Sequence, residues 1–348
     1  MYRVLGAALV AGLICIGLTP FLIRFLRHME YGQVIREDGP HAHFVKKGTP
    51  TMGGILIVFG TVVAYCIFSK FTPEGLAVLF TMVACAVLGF ADDFIQIRKK
   101  RSLGLKARYK IIGQVAIALG FTLIATQIHS PGHQALPMKL SFLGGTWLNL
   151  SWFFFIWVFI MIIGSSNAVN LTDGLDGLAS GSMVMVMAAY LLIAFTMFRH
   201  PLSQHPRFYP FSGAPALDIA IISGAVLGAC VGFLWWNAAP AKIFMGDTGS
   251  LALGGVMAAI ALITRTQFLL LILGGLFVLE ALSVAIQVGV FKMTGGKRVF
   301  RMAPIHHHFE LGGWSEFTVM VRLWILCGFF VLVGFAIFYV DFVGRVPS

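Results

Sequence analysis

Residues 152–179 read WFFFIWVFIMIIGSSNAVNLTDGLDGLA, an almost wholly apolar run that ends in a cluster of polar side chains. A second apolar run, 183–198, follows directly. Long apolar runs of this kind are typical of helices that cross a membrane. The polar cluster then lies where one span ends. Because polar groups at membrane depth are usually functional, this boundary is predicted to hold a site.

The polar cluster has a helical period. Four of its members recur at every third position and would lie near one another on a helix surface: Asn167, Asn170, Asp173 and Asp176. Gly174 and Gly177 predict that the helix breaks here and that backbone N–H groups face a ligand. The alternative is a plain turn, since Asn, Asp and Gly are common turn residues. The position at a membrane boundary favours the site.

Composition decides the class of protein. The chain has 348 residues, of which 58% are hydrophobic and 11% charged, and its mean hydropathy is +0.89. A soluble domain has about 25% charged residues, so this chain cannot cover a surface that faces water. Long apolar runs between short polar loops predict an all-α integral membrane protein and not a β-barrel. No polar segment is long enough for a second domain, so residues 1–348 are predicted to form one membrane domain.

About ten spans are predicted from the apolar runs. They are 4–23, 52–69, 75–91, 111–128, 150–166, 178–198, 217–236, 250–264, 267–291 and 317–340. The eighth is short and weakly apolar. Residues 129–149 contain prolines, paired glycines and an alternating pattern, which predict a small hairpin outside the membrane.

The charges predict the orientation. The net charge is +11, and most of the 25 Lys and Arg residues lie in the connections after the first, third, fifth, seventh and ninth spans. By the positive-inside rule these connections face the cytoplasm, and both termini lie outside, in the periplasm. Topology therefore accounts for most of the excess charge, and no nucleic-acid partner is expected.

The same five connections hold nearly all the unusual polar chemistry. They contain the segments 46–54, 92–93, 167–179, 237–250 and 304–310. Five polar segments on one face of a helical bundle predict a single site that is open to the cytosol.

Carboxylates dominate two of these connections. Asp92 and Asp93 are adjacent, repel each other, and need a cation beside them if both are charged near hydrocarbon. Asp247 is flanked by glycines, and an amide, Asn237, and an ammonium, Lys242, precede it. Hard oxygen ligands of this kind suit Mg²⁺ together with a substrate phosphate. A helix end that is solvated by lipid headgroups is the alternative for the aspartate pair.

The fifth connection contains His306, His307 and His308. A zinc site is disfavoured because three consecutive residues seldom aim at one metal. Histidines that bind phosphate or shape the site fit the basic surroundings better. Glu280, alone in the ninth span, is either a hydrogen-bond partner between helices or a site residue, and the former is favoured.

Together these motifs resemble the polyprenyl-phosphate N-acetylhexosamine-1-phosphate transferase superfamily. The similarity covers the whole chain and includes the order of the motifs, from KKGTPTMGG (46–54) and Asp92-Asp93 through NAVNLTDGLDGLA (167–179) to KIFMGDTGS (242–250). The segment PIHHHFE (304–310) resembles the branch of the family that handles N-acetylmuramoyl-pentapeptide.

The resemblance implies an activity. The protein would transfer phospho-N-acetylmuramoyl-pentapeptide from its UDP-linked form to undecaprenyl phosphate, giving lipid I and UMP, with Mg²⁺ as cofactor. It would do so as a multi-pass protein of the bacterial cytoplasmic (inner) membrane, in contact with membrane lipids. The oligomeric state, a homodimer included, is left open. So is the choice between one-step chemistry and a covalent aspartyl intermediate.

The resemblance also implies roles for single residues. The catalytic group comprises Asp92, Asp93, Asp247 and His306, with Asp247 and Asp93 at the metal and Asp92 acting on the lipid phosphate. The substrate-binding group comprises Lys46, Thr51, Asn170, Asp173, Asp176, Asn237, Phe244, His307 and His308. Within it, Asp176 would accept from the uracil N–H and Phe244 would stack on the ring.

Two other functions compete with this one. A sister enzyme would transfer N-acetylglucosamine-1-phosphate, and the histidine triplet argues against it. A transporter would place its charged residues near the membrane midplane, often in both halves of a repeat. Here the carboxylates lie at span ends on one face, which favours the transferase.

Overall fold

The computed structural model describes residues 1–29, 48–99, 104–126, 139–142, 145–200 and 213–345. Within these ranges the chain is mostly helical. Its helices are α1 (Tyr2–His28), α2 (Gly54–Phe68), α3 (Pro73–Lys99), α4 (Ala107–Thr126), α5 (Phe154–Thr172), α6 (Leu178–Arg199), α7 (Gly213–Asn237), α8 (Gly246–Ile263), α9 (Leu269–Leu273), α10 (Gly275–Met293), α11 (Ile305–Glu310) and α12 (Glu316–Arg345). Two short strands, β1 (Lys139–Phe142) and β2 (Gly145–Asn149), pair antiparallel. They confirm the predicted hairpin.

Nine of the helices in the described ranges are long and apolar enough to cross a membrane. A tenth, α2, is apolar but has only 15 residues. Each of the ten predicted spans therefore overlaps one of these helices, and the prediction of a helical multi-pass membrane protein is confirmed. The positions of the termini and the sidedness of the loops stay predictions.

Three predicted loop residues lie inside helices instead. The second connection was predicted to open with Asp92 and Asp93, but α3 continues to Lys99 and contains both. No Gly or Pro interrupts 91–99, so the helix outlasts its apolar segment. Asp247 was predicted in a loop before the eighth span, but it lies in the first turn of α8. Hydropathy thus located the limits of the two apolar segments, but it missed the end of α3 and the start of α8.

Helix α8 is the centre of the bundle. Nearly all of its residues are buried, and it packs against α2, α3 and α5. The prediction of a short, weakly apolar eighth span is confirmed, since α8 has 18 residues and shares with α4 the lowest mean hydropathy of the nine long helices in the described ranges. The helix is surrounded by protein and uses small Gly and Ala residues in place of large lipid-facing ones. At one crossing a Cβ on Gly54 of α2 would collide with the backbone of Gly249. This close approach holds the segment before α2 against the start of α8.

The ninth predicted span is interrupted. Gly274 separates the short helix α9 from α10. Only residues in the first half of α10 are buried, the last of them Ser283. The helix ends at Met293, and Gly295 and Gly296, both with positive φ, follow it. This glycine pair thus follows the end of the helix, whereas Gly289 lies inside α10.

Substituting Gly54 tests the close contact between α2 and α8. Gly54→Ala is expected to lower the melting temperature of the detergent-purified protein, because the two backbones must separate to admit a methyl group. Gly289→Ala is the matched control, because its Cβ would meet nothing within 4 Å. Alanine is favoured over glycine in a helix by about 0.5–1 kcal/mol, so this variant should melt no lower than the wild type. Equal melting temperatures for both variants would contradict the contact.

Candidate active site

The first and fourth polar connections pair through their backbones. Phe244 N donates to Pro50 O over 2.8 Å, and Gly53 N donates back to Phe244 O over 2.9 Å. Gly246 follows with φ +74, and a Cβ there would lie 2.9 Å from Thr51 Oγ1 and 2.6 Å from Asp93 Oδ2. The turn that begins α8 therefore fits only with glycine, and it lies directly against Thr51 and Asp93.

Asp93 caps the N-terminus of α8. Its Oδ1 accepts from Asp247 N at 3.0 Å, and its Oδ2 accepts from Thr248 N at 2.9 Å and from Thr248 Oγ1 at 2.7 Å. The first N–H groups of a helix have no partner within the helix, and a buried carboxylate both satisfies them and complements the helix dipole. Asp93 therefore fixes the segment that carries Asp247.

Asp247 is held from two other helices. Lys110 Nζ of α4 lies 2.6 Å from Asp247 Oδ2, and Asn170 Nδ2 of α5 lies 2.7 Å from Asp247 Oδ1. Asn170 Nδ2 also lies 3.1 Å from Ser250 Oγ, one turn further along α8. Three helices that are distant in sequence therefore meet at one carboxylate.

Asp92 lies beside Asp247, with the two carboxyl groups within hydrogen-bonding reach. Its Oδ2 accepts from Gln96 Nε2 at 2.7 Å, and its Oδ1 accepts from Leu105 N at 2.8 Å. Asp92 is only 4% exposed. Gln96 of α3 and Leu105, just before α4, thus hold the orientation of this carboxylate next to that of Asp247.

The acidic turn, residues 173–177, connects α5 to α6. The predicted helix break is confirmed, because α5 ends at Thr172 and Gly177 has φ +80. Asp176 Oδ2 accepts from Ala241 N at 2.9 Å. Buried Asn237 accepts on Oδ1 from Gly177 N at 3.2 Å and donates from Nδ2 to Ile243 O at 3.0 Å. These bonds tie the acidic turn to the fourth connection.

Negative charge accumulates where the acidic turn meets α8. The pKa of Asp173 is raised well above its usual range, first by burial and then by the nearby carboxylates of Asp247, Asp93 and Asp176. Lys110 is the basic side chain that bonds to this cluster in the part of the chain described here. The arrangement therefore favours a further positive charge.

No group of three His, Cys, Asp or Glu side chains within the described ranges is arranged as a ready metal-binding set. The chemistry of the cluster nonetheless suits a hard divalent cation. Mg²⁺ takes few protein ligands, prefers carboxylate oxygens, and keeps water and substrate phosphates as its other ligands. Asp247 and Asp92 supply such oxygens side by side, so the donors present fit Mg²⁺.

The three histidines lie on α11, a short helix that the sequence did not predict. His306 is fully buried, with Nδ1 at 3.1 Å from Glu280 Oε2. The prediction of Glu280 as a hydrogen-bond partner between helices is confirmed. His307 Nδ1 lies 2.7 Å from Glu310 Oε2, and His308 Nδ1 accepts from Arg301 N at 3.1 Å.

The structure thus brings six of the thirteen predicted site residues together at the start of α8. Around Asp247 lie Asp92, Asp93, Asn170 and Asp173, with Thr51 beside Asp93 at the adjoining turn. Phe244 is half-buried in the fourth connection, and Lys46 lies outside the described residues. Asn167 donates to Ile163 O of its own helix over 2.9 Å and has no bond to the cluster.

The chain is similar to known proteins over nearly its whole length. The model of glycosyl transferase family 4 matches residues 75–265, and signature 1 of phospho-N-acetylmuramoyl-pentapeptide-transferase matches residues 46–58. The phospho-N-acetylmuramoyl-pentapeptide-transferase of Frankia alni is 50% identical over 99% of both chains. The protein of that name from Streptomyces griseus is 48% identical over 99% of this chain and 100% of its own. The chain belongs to the phospho-N-acetylmuramoyl-pentapeptide-transferase family.

The family signature coincides with a structural contact. Within 46–58 lie Thr51, which touches the turn at Gly246, and Gly54, which touches α8. The segment that identifies the phospho-N-acetylmuramoyl-pentapeptide-transferase family is therefore also the one that packs against the helix carrying Asp247.

Sequence reasoning missed the specific role of Lys110. It is one of many Lys and Arg residues of the second connection, which the sequence analysis used only to predict the orientation. Its signal was weak, because many Lys and Arg residues share this connection and only the fold shows which one reaches α8. Thr248 was missed as well, although a hydroxyl in the first turn of a helix is a common partner for a cap.

Replacing the cap tests how the start of α8 is held. Asp93→Asn is expected to lower the melting temperature, because an amide NH₂ replaces one of the two accepting oxygens. That NH₂ would face the donors at the start of α8, and each buried donor left unsatisfied costs about 1–3 kcal/mol. Thr248→Ser, which keeps the hydroxyl, is the control and should melt close to the wild type. A melting temperature for Asp93→Asn that equals that of Thr248→Ser would count against the cap.

Proposed function

We propose that the protein transfers phospho-N-acetylmuramoyl-pentapeptide from UDP-N-acetylmuramoyl-pentapeptide to undecaprenyl phosphate, giving lipid I and UMP. Membership of the family supports this reaction over transfer of N-acetylglucosamine-1-phosphate. The observation that carries the proposal is the meeting of Asp92, Asp173, Asn170 and Lys110 at Asp247. Carboxylates, an amide and an ammonium at one point form a site for a metal–diphosphate.

The chemistry exchanges one phosphoanhydride for another. An oxygen of the lipid phosphate forms a bond to the phosphorus that carries the sugar, and the bond from that phosphorus to the UMP oxygen breaks. UMP leaves with the electron pair, and the lipid carries a new diphosphate. Because the bonds formed and broken are of one kind, the step is close to thermoneutral. Catalysis is then mainly positioning and charge neutralisation.

Mg²⁺ is the cofactor that we propose for this step. Asp247 would hold the cation, and Asp93 would lie beside it. Asp92 would lie next to Asp247. When bound, the cation neutralises charge on the diphosphate and orients it for in-line displacement. Because Asp93 already caps α8, we assign it the part of holding Asp247 in place while Asp247 faces the metal.

The other residues of the cluster would act directly on the substrates. Lys110 would neutralise developing charge as the UMP oxygen departs, since it already lies against Asp247. Asp92 would orient the lipid phosphate or take its proton, and the bonds from Gln96 and Leu105 would fix its direction. These roles leave the choice between one-step and two-step chemistry to experiment.

The nucleoside would lie against the acidic turn. Asp176 would accept from the uracil N–H, Asp173 would line the same side, and half-buried Phe244 would stack on the ring. Asn237 is buried and bonds to Gly177 of the acidic turn and to Ile243 of the fourth connection. It would therefore act near the substrate phosphates indirectly, by holding the backbones of these two segments together. Thr51 and Lys46 are proposed near the phosphates, and His307 and His308 near the sugar-phosphate.

The orientation proposed for the protein follows from its charges. The site connections would face the cytoplasm of a bacterial inner membrane, and both termini would face the periplasm. A soluble nucleotide donor and a membrane-bound lipid acceptor would then reach one site from two phases. That arrangement suits a site at the ends of helices and not at the membrane midplane.

A transfer assay tests the proposal. Purified protein, undecaprenyl phosphate and radiolabelled UDP-N-acetylmuramoyl-pentapeptide are expected to give a butanol-soluble product together with UMP. Asp247→Asn keeps the shape of the side chain but removes its charge. It is expected to lower the rate by about 10²–10³-fold, the usual effect of losing one group that stabilises charge in the transition state.

The matched control is Asp341→Asn, the same substitution near the far end of α12. It is expected to keep the wild-type rate. UDP-N-acetylglucosamine serves as the alternative donor. Product from that donor alone, or full activity of purified Asp247→Asn, would overturn the proposal.

A further inference from the structure

A buried histidine–glutamate pair lies next to the acidic turn and has no part in the chemistry described above. His306 on α11 and Glu280 on α10 are both fully buried, and Nδ1 lies 3.1 Å from Oε2. The two atoms share one hydrogen bond, whose donor depends on the tautomer of the imidazole. This contact attaches the fifth polar connection to α10.

The opposite side of the imidazole faces the acidic turn. A Cβ added to Gly174 would collide with His306 Nε2, so the ring lies flush against the backbone of the turn. Nε2 is buried and has no hydrogen-bond partner among the described residues. With Gly174 against it, Nε2 has no open path to a substrate in this geometry. The ring instead packs against the backbone of the acidic turn at Gly174.

Glu280 determines where that ring lies. Only five residues of α10 are buried, and Glu280 is the charged one among them. Within the part of the chain that the structure describes, its Oε1 has no hydrogen-bond partner, and its Oε2 bonds to His306. A buried carboxyl group with one partner restrains that partner, because breaking the bond would leave a buried polar group without a hydrogen bond.

We propose that Glu280 and His306 are a pair of positioning residues that set the acidic turn, and with it the binding of the nucleotide donor. Glu280 holds the imidazole in place. The imidazole in turn packs against the backbone of Gly174, which lies between Asp173 and Asp176 in the sequence. The catalytic role predicted for His306 stays a prediction, but the burial of its ring favours positioning. The kinetic part of this inference rests on the proposed function, and its structural part does not.

A double-mutant cycle tests the pair. Glu280→Ala and His306→Ala are each expected to raise the KM for UDP-N-acetylmuramoyl-pentapeptide about tenfold, the effect of about 1.4 kcal/mol, and to change kcat much less. Because the two residues act as a unit, the double variant should be no worse than either single variant. Glu280→Gln keeps an acceptor for Nδ1 and should restore most of the affinity.

Gln287→Ala is the matched control on the same helix. Gln287 bonds α10 to Phe300 of the fifth connection, at 3.0 Å from Nε2 to the carbonyl oxygen and 2.9 Å from the backbone N to Oε1. Its hydrogen bonds go to the fifth connection and not to the acidic turn, so its loss should lower the melting temperature without raising the KM. An equal rise in KM for Gln287→Ala would show that any loosening of α10 has this effect, and would overturn the inference.

A suppressor test approaches the pair from the turn. Gly174→Ala is expected to raise the KM in the wild-type background, because its methyl group pushes against Nε2. In the His306→Ala background that space is free, so the same substitution should have little further effect. Additive losses in every combination would overturn the inference. So would loss of kcat in His306→Ala with an unchanged KM, which would make the imidazole catalytic.

Melting temperatures of the same variants separate this inference from the proposed function. If the wild type shows no turnover with the nucleotide donor, the proposed function fails. The cycle can then still be read from stability, where Glu280→Ala and His306→Ala should again be non-additive. Additive melting shifts would overturn the pair irrespective of the reaction.

Discussion

The structure depends on the burial of several carboxylates at one point. Asp92, Asp93, Asp173 and Asp247 would repel one another there, and each needs a compensating partner. Asp93 obtains it from the N-terminus of α8, Asp247 from Lys110 and Asn170, and Asp92 from Gln96 and the backbone of Leu105. The remaining negative charge is what a divalent cation and its diphosphate would use.

This constraint explains the shape of the bundle around it. Small residues along α8 let α2, α3 and α5 approach closely, and the break after α5 turns the chain so that the acidic turn lies beside α8. Helices hold Asp247, Lys110 and Asn170 at fixed positions, and the connections between helices add further polar groups. A site held this way is pre-organised for charge neutralisation, the main task in exchanging one phosphoanhydride for another.

Sequence patterns predicted the helical class, the order of the spans, the hairpin and most of the cluster, because apolar runs and polar motifs are local signals. They could not show that α3 continues through Asp92 and Asp93, since the apolar run ends before this pair while the helix continues into the polar segment. They also could not select Lys110 from its basic neighbours or show that His306 is buried. Both depend on contacts between segments far apart in the chain.

Binding of Mn²⁺, a spectroscopic substitute for Mg²⁺, tests the central claim most directly. The account predicts that detergent-purified protein binds Mn²⁺, as followed by electron paramagnetic resonance. This binding should be lost in Asp247→Asn and retained in Asp341→Asn. Equal Mn²⁺ binding by the wild type and Asp247→Asn would contradict the claim that the cluster at the start of α8 is the cation site.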